Sequence, residues 1–200
     1  MNQQHILLLA LWFLFCLFHS LLANQRLKFI IKHKLGNYFR YYRISYSVFA
    51  AITLAVVLWF QFRLNSPSIF PIGVLNYFVA LVFLLPGAYF MIVSIYKYFN
   101  ELSGIQVLRG QPEKHTLQQD GLHKFVRHPL YFGTLLCVWG LFVIIPLLSH
   151  FLACIVISLY TLIGIRLEEK QLLSEYGEAY KSYAKKVPGL IPRIGMGVKK

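Results

Sequence analysis

Four long runs of apolar residues constrain this chain more than any other feature of its sequence. They extend from about His5 to Ala23, Ile44 to Phe62, Ile72 to Phe99 and Leu130 to Ile165. Because a transmembrane helix needs about 20 apolar residues to cross the hydrocarbon core, each of the first three runs predicts one span. The fourth run is too long for one crossing, and residues 146–150 near its middle predict a tight hairpin between two helices. The sequence therefore predicts an all-α polytopic membrane protein with about five transmembrane helices.

The composition agrees with a membrane location. Of the 200 residues, 58% are hydrophobic and 14% are charged, whereas soluble domains carry about 25% charged residues. This apolar content excludes a disordered chain. Cys16, Cys137 and Cys154 lie inside the apolar runs, so they do not form a disulfide or zinc framework. The sequence contains no metal-ligand spacing, Walker motif or GxGxxG motif, so we expect no metal and no nucleotide site of those types.

The basic residues, which give a formal net charge of +13, predict how the spans are oriented. Residues 24–43 and 97–127 are basic, as is the chain after Arg166, whereas residues 65–71 and the hairpin carry no charged residue. By the positive-inside rule, this alternation places the C-terminus in the cytoplasm and the N-terminus outside. A cleaved signal peptide explains the first run less well, because no Lys or Arg precedes it. The lack of a eukaryotic sorting signal favours a prokaryotic inner membrane.

The basic segment between the first two runs is explained by contact with lipids. Its cations set the topology and meet anionic headgroups. A nucleic-acid site would need a folded basic surface or a recognisable motif, and the sequence contains no such motif. We therefore expect membrane lipids as partners and no nucleic acid.

Polar residues gather in two segments, 115–133 and 166–192, that flank the predicted hairpin. A short hairpin returns the chain to the membrane face that it left, so both segments are expected at the cytoplasmic boundary. The side chains that this topology brings within reach of one another are Arg127, His128, Tyr131, Glu168 and Glu169.

In the first segment, Pro129 predicts the first turn of a helix, where its missing N–H would be unpaired in any case. Arg127 and His128 then precede that helix, beside the positive end of its dipole, which favours an anionic ligand. Gly133 would let a flat ligand or another helix approach closely. In the alternative interpretation, Arg127 extends to the lipid headgroups and His128 is an interfacial residue.

In the second segment, Glu168 and Glu169 follow a predicted span at the end where the helix dipole disfavours acids. We therefore expect either a cationic partner for them or a helix that continues into water. One apolar and aromatic face continues at helical spacing through Leu172, Leu173, Tyr176, Tyr180 and Tyr183. The continuing helix either docks on the bilayer or closes over a ligand and presents a glutamate to it.

These segments carry an ordered motif: His-x-Leu-x-x-x-Gly, then Arg-His-Pro-x-Tyr-x-Gly, a hairpin, a Glu-Glu pair, Tyr-Gly-x-x-Tyr-x-x-Tyr, Val-Pro and a last Pro. The motif resembles that of the isoprenylcysteine carboxyl methyltransferase family, membrane-embedded enzymes related to the phospholipid N-methyltransferases. The resemblance covers residues 115–192, about two fifths of the chain. One departure is His123, where relatives often have tyrosine.

The resemblance implies S-adenosylmethionine as methyl donor, in a cytoplasmic site formed by the loop before the last hairpin and the C-terminal helix. It implies two catalytic residues, Arg127, which orients the methyl acceptor, and Glu168. Residues 111–200 would form the catalytic region, and residues 1–110 would supply three spans on the acceptor side. The implied cofactor-binding residues are His115, Leu117, Gly121, His128, Tyr131, Gly133, Glu169 and Tyr180.

Two short motifs bear on the methyl acceptor. Residues 18–23 (Phe-His-Ser-Leu-Leu-Ala) and 42–46 (Tyr-Arg-Ile-Ser-Tyr) resemble the N-terminal half of bacterial methanethiol S-methyltransferases. This resemblance favours S-methylation of a small or lipophilic thiol. The alternatives are carboxyl methylation of isoprenylcysteine or a similar lipophilic carboxylate, N-methylation of a phospholipid, and a non-catalytic membrane binding protein on the same fold.

Overall fold

The computed structural model describes residues 2–103 and 116–192, so the predicted site residue His115 lies outside the described residues. Short 3-10 helices cover Gly36–Tyr41 and Gly121–Lys124. Within the described ranges there is no β-strand, only one isolated bridge between Ser68 and Leu147. The predicted all-α class is confirmed. The α-helices are α1 (Gln3–Ala23), α2 (Gln25–Leu35), α3 (Tyr42–Arg63), α4 (Val74–Ser103), α5 (Pro129–Ile144), α6 (Leu148–Tyr176) and α7 (Glu178–Lys186).

The helices have the length and composition of membrane spans. Four helical stretches are long and apolar enough to cross a membrane: Gln3–Ala23, Arg26–Arg63, Val74–Lys97 and Leu148–Tyr176. Helix α5 is apolar but has only 16 residues, a length of about 24 Å. Only 11% of the most apolar window of α1 is buried within the protein, so lipid must solvate the rest. The chain is therefore a membrane protein, and its four long apolar helices together with the shorter α5 agree with the predicted number of about five spans.

The basic segment that follows α1 contains a helix of its own, α2. The side chain of Asn24 caps α2 by accepting a hydrogen bond from the backbone N–H of Arg26 at 2.8 Å. Lys32 and Lys34 lie in the last turn of α2, where cations interact favourably with the helix dipole. Gly36, with a φ of 51°, ends the helix.

Two turns differ from the sequence prediction. Helix α6 begins at Leu148, so Ser149 and His150 belong to the helix and not to the hairpin turn. Gly177 has a φ of 53°, which L-residues with side chains rarely adopt, and it separates α6 from α7. The predicted aromatic face therefore does not continue on one helix. Helix α4 contains Pro86 and remains one helix.

Packing groups the described chain into two compact units. The first unit contains residues 2–71, 98–103 and 145–156, and the second contains residues 72–97, 116–144 and 157–192. The proposed functional division of the chain at residue 110 stays a prediction, because grouping by packing does not test a division of roles.

In the first unit, polar side chains link the helices. The indole Nε1 of Trp12 in α1 donates to Oε1 of Gln61 in α3 at 2.9 Å. Near the other end of α1, the hydroxyl of Tyr46 lies 2.9 Å from Nε2 of His19. The first link pairs two buried polar groups, each of which would otherwise lack a partner, and the second joins two half-buried side chains.

In the second unit, α4 and α5 pack closely because glycines lie at their contact. A Cβ atom on Gly133 would lie 2.8 Å from the carbonyl oxygen of Gly87, and one on Gly87 would lie 2.8 Å from Sγ of Cys137. A Cβ on Gly140 would lie 2.9 Å from Cγ of Leu84. The contacts run in opposite directions along the two helices, so the helices are antiparallel. This packing fixes the position of the start of α5.

Candidate active site at the start of helix α5

The candidate site is built in the second unit, where the segment before α5 pairs with the segment after α7. Pro129 is the first residue of α5, as predicted. The backbone N–H of Arg127 donates to the carbonyl of Pro188 at 2.9 Å, and that of His128 donates to the carbonyl of Gly189 at 3.1 Å. These two bonds hold the chain on either side of the hairpin together.

The guanidinium of Arg127 is the centre of the site. Its Nε donates to Oε1 of Glu169 at 2.9 Å, and its Nη2 donates to the same oxygen. Its Nη1 donates to the carbonyls of Ala184 at 3.0 Å and Val187 at 2.6 Å, at the end of α7 where a cation is favoured. Since arginine has five N–H groups, these four bonds use most of its donors within the protein.

The two glutamates of α6 flank His128. Nε2 of His128 lies 3.2 Å from Oε1 of Glu169, and its Nδ1 lies 3.6 Å from Oε2 of Glu168. The side chain of His128 is 3% exposed, whereas those of Glu169 and Glu168 are 29% and 44% exposed. The expected cationic partner is Arg127 for Glu169, and helix α6 also continues past both glutamates to Tyr176. Glu168 is the carboxylate more open to a ligand.

Two tyrosines border this cluster. The ring of Tyr131 stacks on the ring of His128 with the centroids 5.7 Å apart. Tyr180 in α7 is buried, and Glu169 and Arg127 lie beside its hydroxyl. Burial and then the nearby charge of Glu169 raise the pKa of Tyr180 to about 12. The hydroxyl therefore stays neutral.

The segment before the cluster is held by backbone contacts. Gly121 has a φ of 62° at the start of the second 3-10 helix, and Nζ of Lys97 donates to the carbonyl of Asp120 at 3.3 Å. The hydroxyl of Tyr183 donates to the carbonyl of His123 at 2.7 Å. Leu117 is half-buried in the irregular segment that leads to Gly121.

The structure adds information about two residues, Gly133 and Ser94. Gly133 is buried against α4, so of its two predicted uses the structure shows the close approach of another helix. Ser94 was not singled out, although it is 2% exposed and its hydroxyl has no partner among the described residues. Its only sequence signal is one hydroxyl within an apolar run. Within residues 2–103 and 116–192, no group of three His, Cys, Asp or Glu side chains could hold a metal ion.

Comparison with known proteins gives relatives over most of the chain. It is 29% identical over 198 residues to methanethiol S-methyltransferase 1 of Bradyrhizobium diazoefficiens, covering 94% of this chain and 66% of that protein. It is 27% identical to the methanethiol S-methyltransferase of Crocosphaera subtropica, covering 91% and 72% of the two chains. It is 34% identical over 119 residues to the protein-S-isoprenylcysteine O-methyltransferase of Schizosaccharomyces pombe, covering 58% and 49%.

These relatives confirm the resemblance inferred from the motifs. The chain spans about two thirds of the length of the Bradyrhizobium protein. No solved structure matches it. A family profile described as "Protein of unknown function (DUF1295)" matches residues 25–187. The chain therefore belongs to the DUF1295 family.

Proposed function

We propose that this chain is an integral membrane methyltransferase that uses S-adenosylmethionine to methylate the sulfur of a small or lipophilic thiol. The observation that carries the proposal is the cluster of Arg127, His128, Glu168 and Glu169, which joins the two motif segments across the hairpin. The relatives named methanethiol S-methyltransferase support the same activity.

The residues of the cluster fit the chemistry of S-adenosylmethionine. The cofactor has an ammonium, a carboxylate, a sulfonium cation and an adenine ring. The exposed carboxylate of Glu168 and the second oxygen of Glu169 suit the cations, and Tyr131 offers an aromatic face. The neutral hydroxyl of Tyr180 lies beside Glu169 in the same cluster. The resemblance adds His115, Leu117, Gly121, His128 and Gly133 to this proposed cofactor site.

When bound, S-adenosylmethionine supplies an electrophilic methyl group on a sulfonium sulfur. The task left to the protein is to hold the acceptor in line, exclude water and stabilise the charged acceptor. Following the resemblance, we assign the acceptor-orienting role to Arg127 and a contact with the reacting groups to Glu168. Glu169 positions Arg127, since it accepts two of the guanidinium N–H groups.

The packing of α4 on α5 favours a small acceptor. At the height of Gly87, Gly133 and Cys137 the two helices are in contact, so a prenyl chain cannot pass between them there. A small thiol needs no such passage. The relative named for isoprenylcysteine supports the carboxylate as the second candidate acceptor.

The charge pattern supports an orientation with the cluster at the cytoplasmic face. The cofactor would then enter from the cytoplasm, and the acceptor from the bilayer. We propose the inner membrane of a prokaryote as the location, with the N-terminus outside. Lipids are the expected partners in that membrane.

The acceptor can be identified with the purified chain in lipid nanodiscs and S-adenosylmethionine that carries a labelled methyl group. Methanethiol or another small thiol, a farnesylcysteine carboxylate and phosphatidylethanolamine are offered separately. We expect label in the thioether product, and at least tenfold less in the other two. Glu169→Ala is the loss-of-function control, and Lys181→Ala, which changes an exposed side chain, is the matched neutral one.

Each outcome of this assay has a meaning. If the label appears mainly in a methyl ester or in the lipid, the acceptor is not a thiol, but the protein is still a methyltransferase. No label in any product contradicts the enzyme itself and favours a binding protein on the same fold.

A further inference from the structure

Ser94 in helix α4 is a buried hydroxyl without a partner. Its side chain is enclosed, with the residue 2% exposed, and Oγ has no hydrogen-bond partner among the described residues. Serine and threonine in helices usually donate to the carbonyl four residues earlier, as Thr134 does to Leu130 at 2.9 Å. Ser94 does not, so its hydroxyl bears the full cost of burial unless a ligand accepts its hydrogen bond.

The antiparallel packing of α4 and α5 places Ser94 opposite the first turn of α5. Seven residues separate Ser94 from Gly87, which puts both on the helix face that contacts α5. Along this contact, moving towards the C-terminus of α4 corresponds to moving the same number of residues towards the N-terminus of α5. In this register Ser94 lies opposite Leu130, which is three residues after Arg127. The pairs that define the register are Leu84 with Gly140, Gly87 with Cys137, and Met91 with Gly133.

Apolar side chains lie one turn before Ser94 along this helix contact. The rings of Phe90 and Phe132 meet edge to face with the centroids 5.0 Å apart, and the side chain of Met91 packs on Gly133. A single hydroxyl next to apolar side chains does not suit a ligand with several charges. It suits a small molecule with one polar atom and an apolar body, such as a short alkyl thiol.

We propose that the hydroxyl of Ser94 donates a hydrogen bond to the sulfur of the methyl acceptor. This inference rests on the proposed function and adds a residue that contacts the acceptor. The acceptor sulfur gives its proton to water and forms the new bond to the methyl carbon. The carbon–sulfonium bond breaks, and its electron pair stays on the donor sulfur. The reacting form is the thiolate, and a hydroxyl donor stabilises its negative charge.

The substitution Ser94→Ala separates this role from a structural one, because the two predict opposite signs. Removing an unpaired buried hydroxyl should raise the melting temperature of the ligand-free protein by about 2 °C. Losing a hydrogen bond to a charged sulfur should lower kcat/KM for the thiol by about tenfold. The pH at which the rate is half-maximal should also rise, since the thiolate is less stabilised.

Thr134→Val is the matched control in the same unit. It removes a hydroxyl that already donates within its own helix, so kcat/KM should stay within about twofold of the wild type. Ser94→Cys keeps a weak donor and should fall between Ser94→Ala and the wild type.

A lower melting temperature for Ser94→Ala, or a kcat/KM unchanged from the wild type, would overturn the assignment of Ser94 while leaving the proposed function intact. A wild-type chain that methylates no thiol would overturn the proposed function and, with it, the assignment. The two failures are therefore distinguishable.

Discussion

Arg127 connects three parts of the second unit through one guanidinium. It binds the carboxylate of Glu169 in α6 and two carbonyls at the end of α7, while its backbone pairs with Pro188. Lysine cannot reproduce this, because its ammonium lacks the planar fork that reaches a carboxylate and two carbonyls at once. The side chain that the motif assigns to the acceptor therefore also holds the site together.

Removing either partner of this ion pair should destabilise the protein. Arg127→Ala and Glu169→Ala should each lower the unfolding free energy by on the order of 3 kcal/mol, because a partly buried charge is left unpaired. The double variant should lose at least about 1 kcal/mol less than the sum. Denaturant unfolding in mixed micelles measures all three. The control is Lys181→Ala, which breaks an exposed ion pair on α7 and should change the unfolding free energy by less than about 1 kcal/mol. If the losses for Arg127→Ala and Glu169→Ala were additive in the double variant, the two side chains would not be coupled.

His123 should make stability depend on pH. Burial lowers the pKa of His123 below its ordinary value of 6.5, and the neighbours Lys97 and His128 lower it further, against a backbone hydrogen bond at Arg127 that raises it. Below pH 6.5 the unfolded chain then binds more protons than the folded one. The stability contributed by neutral His123 is complete above pH 6.5 and is lost as the pH falls towards the lowered pKa, by at most about 1.4 kcal/mol per pH unit.

The test for His123 is the melting temperature of His123→Asn between pH 7.5 and 5.5. We expect a flatter pH dependence than that of the wild type. The control is His33→Asn, which changes an exposed histidine of α2 and should follow the wild-type curve. A His123→Asn curve parallel to the wild type would show that His123 does not carry this dependence.

At the scale of helices, hydrophobic runs predicted where the spans lie but not how they end or meet. Helices end at Gly36 and Gly177 with positive φ angles that only glycine adopts easily. Because glycine also adopts ordinary negative φ angles, the sequence alone does not predict which glycines end a helix. Pro86 shows the reverse case, since a membrane helix can continue through a proline.

The glycine contact between α4 and α5 gives a packing prediction. Gly133→Ala should lower the unfolding free energy by about 1–3 kcal/mol, because its Cβ would overlap the carbonyl oxygen of Gly87. Gly164→Ala is the control, since a Cβ at that position in α6 meets nothing within 4 Å. It should be neutral or stabilise the helix by up to about 1 kcal/mol. Equal effects of the two substitutions in an unfolding titration would show that the contact is loose.

At the scale of the whole chain, topology alone was enough to bring the two motif segments together. The hairpin returns the chain to one face, and the structure joins Arg127 and His128 to Glu168 and Glu169 as that argument requires. Ser94 was not predicted as a site residue, because it is distinguished only by a hydroxyl without a hydrogen-bond partner, and a sequence does not show hydrogen-bond partners. The contacts of Arg127 with the carbonyls of Ala184 and Val187 were not predicted, because a motif of side chains carries no information about which backbone carbonyls accept hydrogen bonds.

The orientation can be tested with single cysteines in a background without native ones. Ser68→Cys lies in the uncharged loop and Lys181→Cys lies on α7, both at exposed positions. A membrane-impermeant thiol reagent added to intact cells should label Ser68→Cys only, and both after the membrane is opened. Labelling of Lys181→Cys in intact cells would reverse the proposed orientation.

The central claim is that the cluster around Arg127 binds the methyl donor, and calorimetric titration of S-adenosylmethionine into the purified chain tests it most directly. We predict saturable one-to-one binding to the wild type and to Thr134→Val, which keeps the cluster intact. Glu169→Ala should weaken it by at least about tenfold, and Arg127→Ala should weaken it less, since Arg127 is assigned to the acceptor. No heat of binding with the folded wild type, or unchanged affinity in both alanine variants, would contradict the claim.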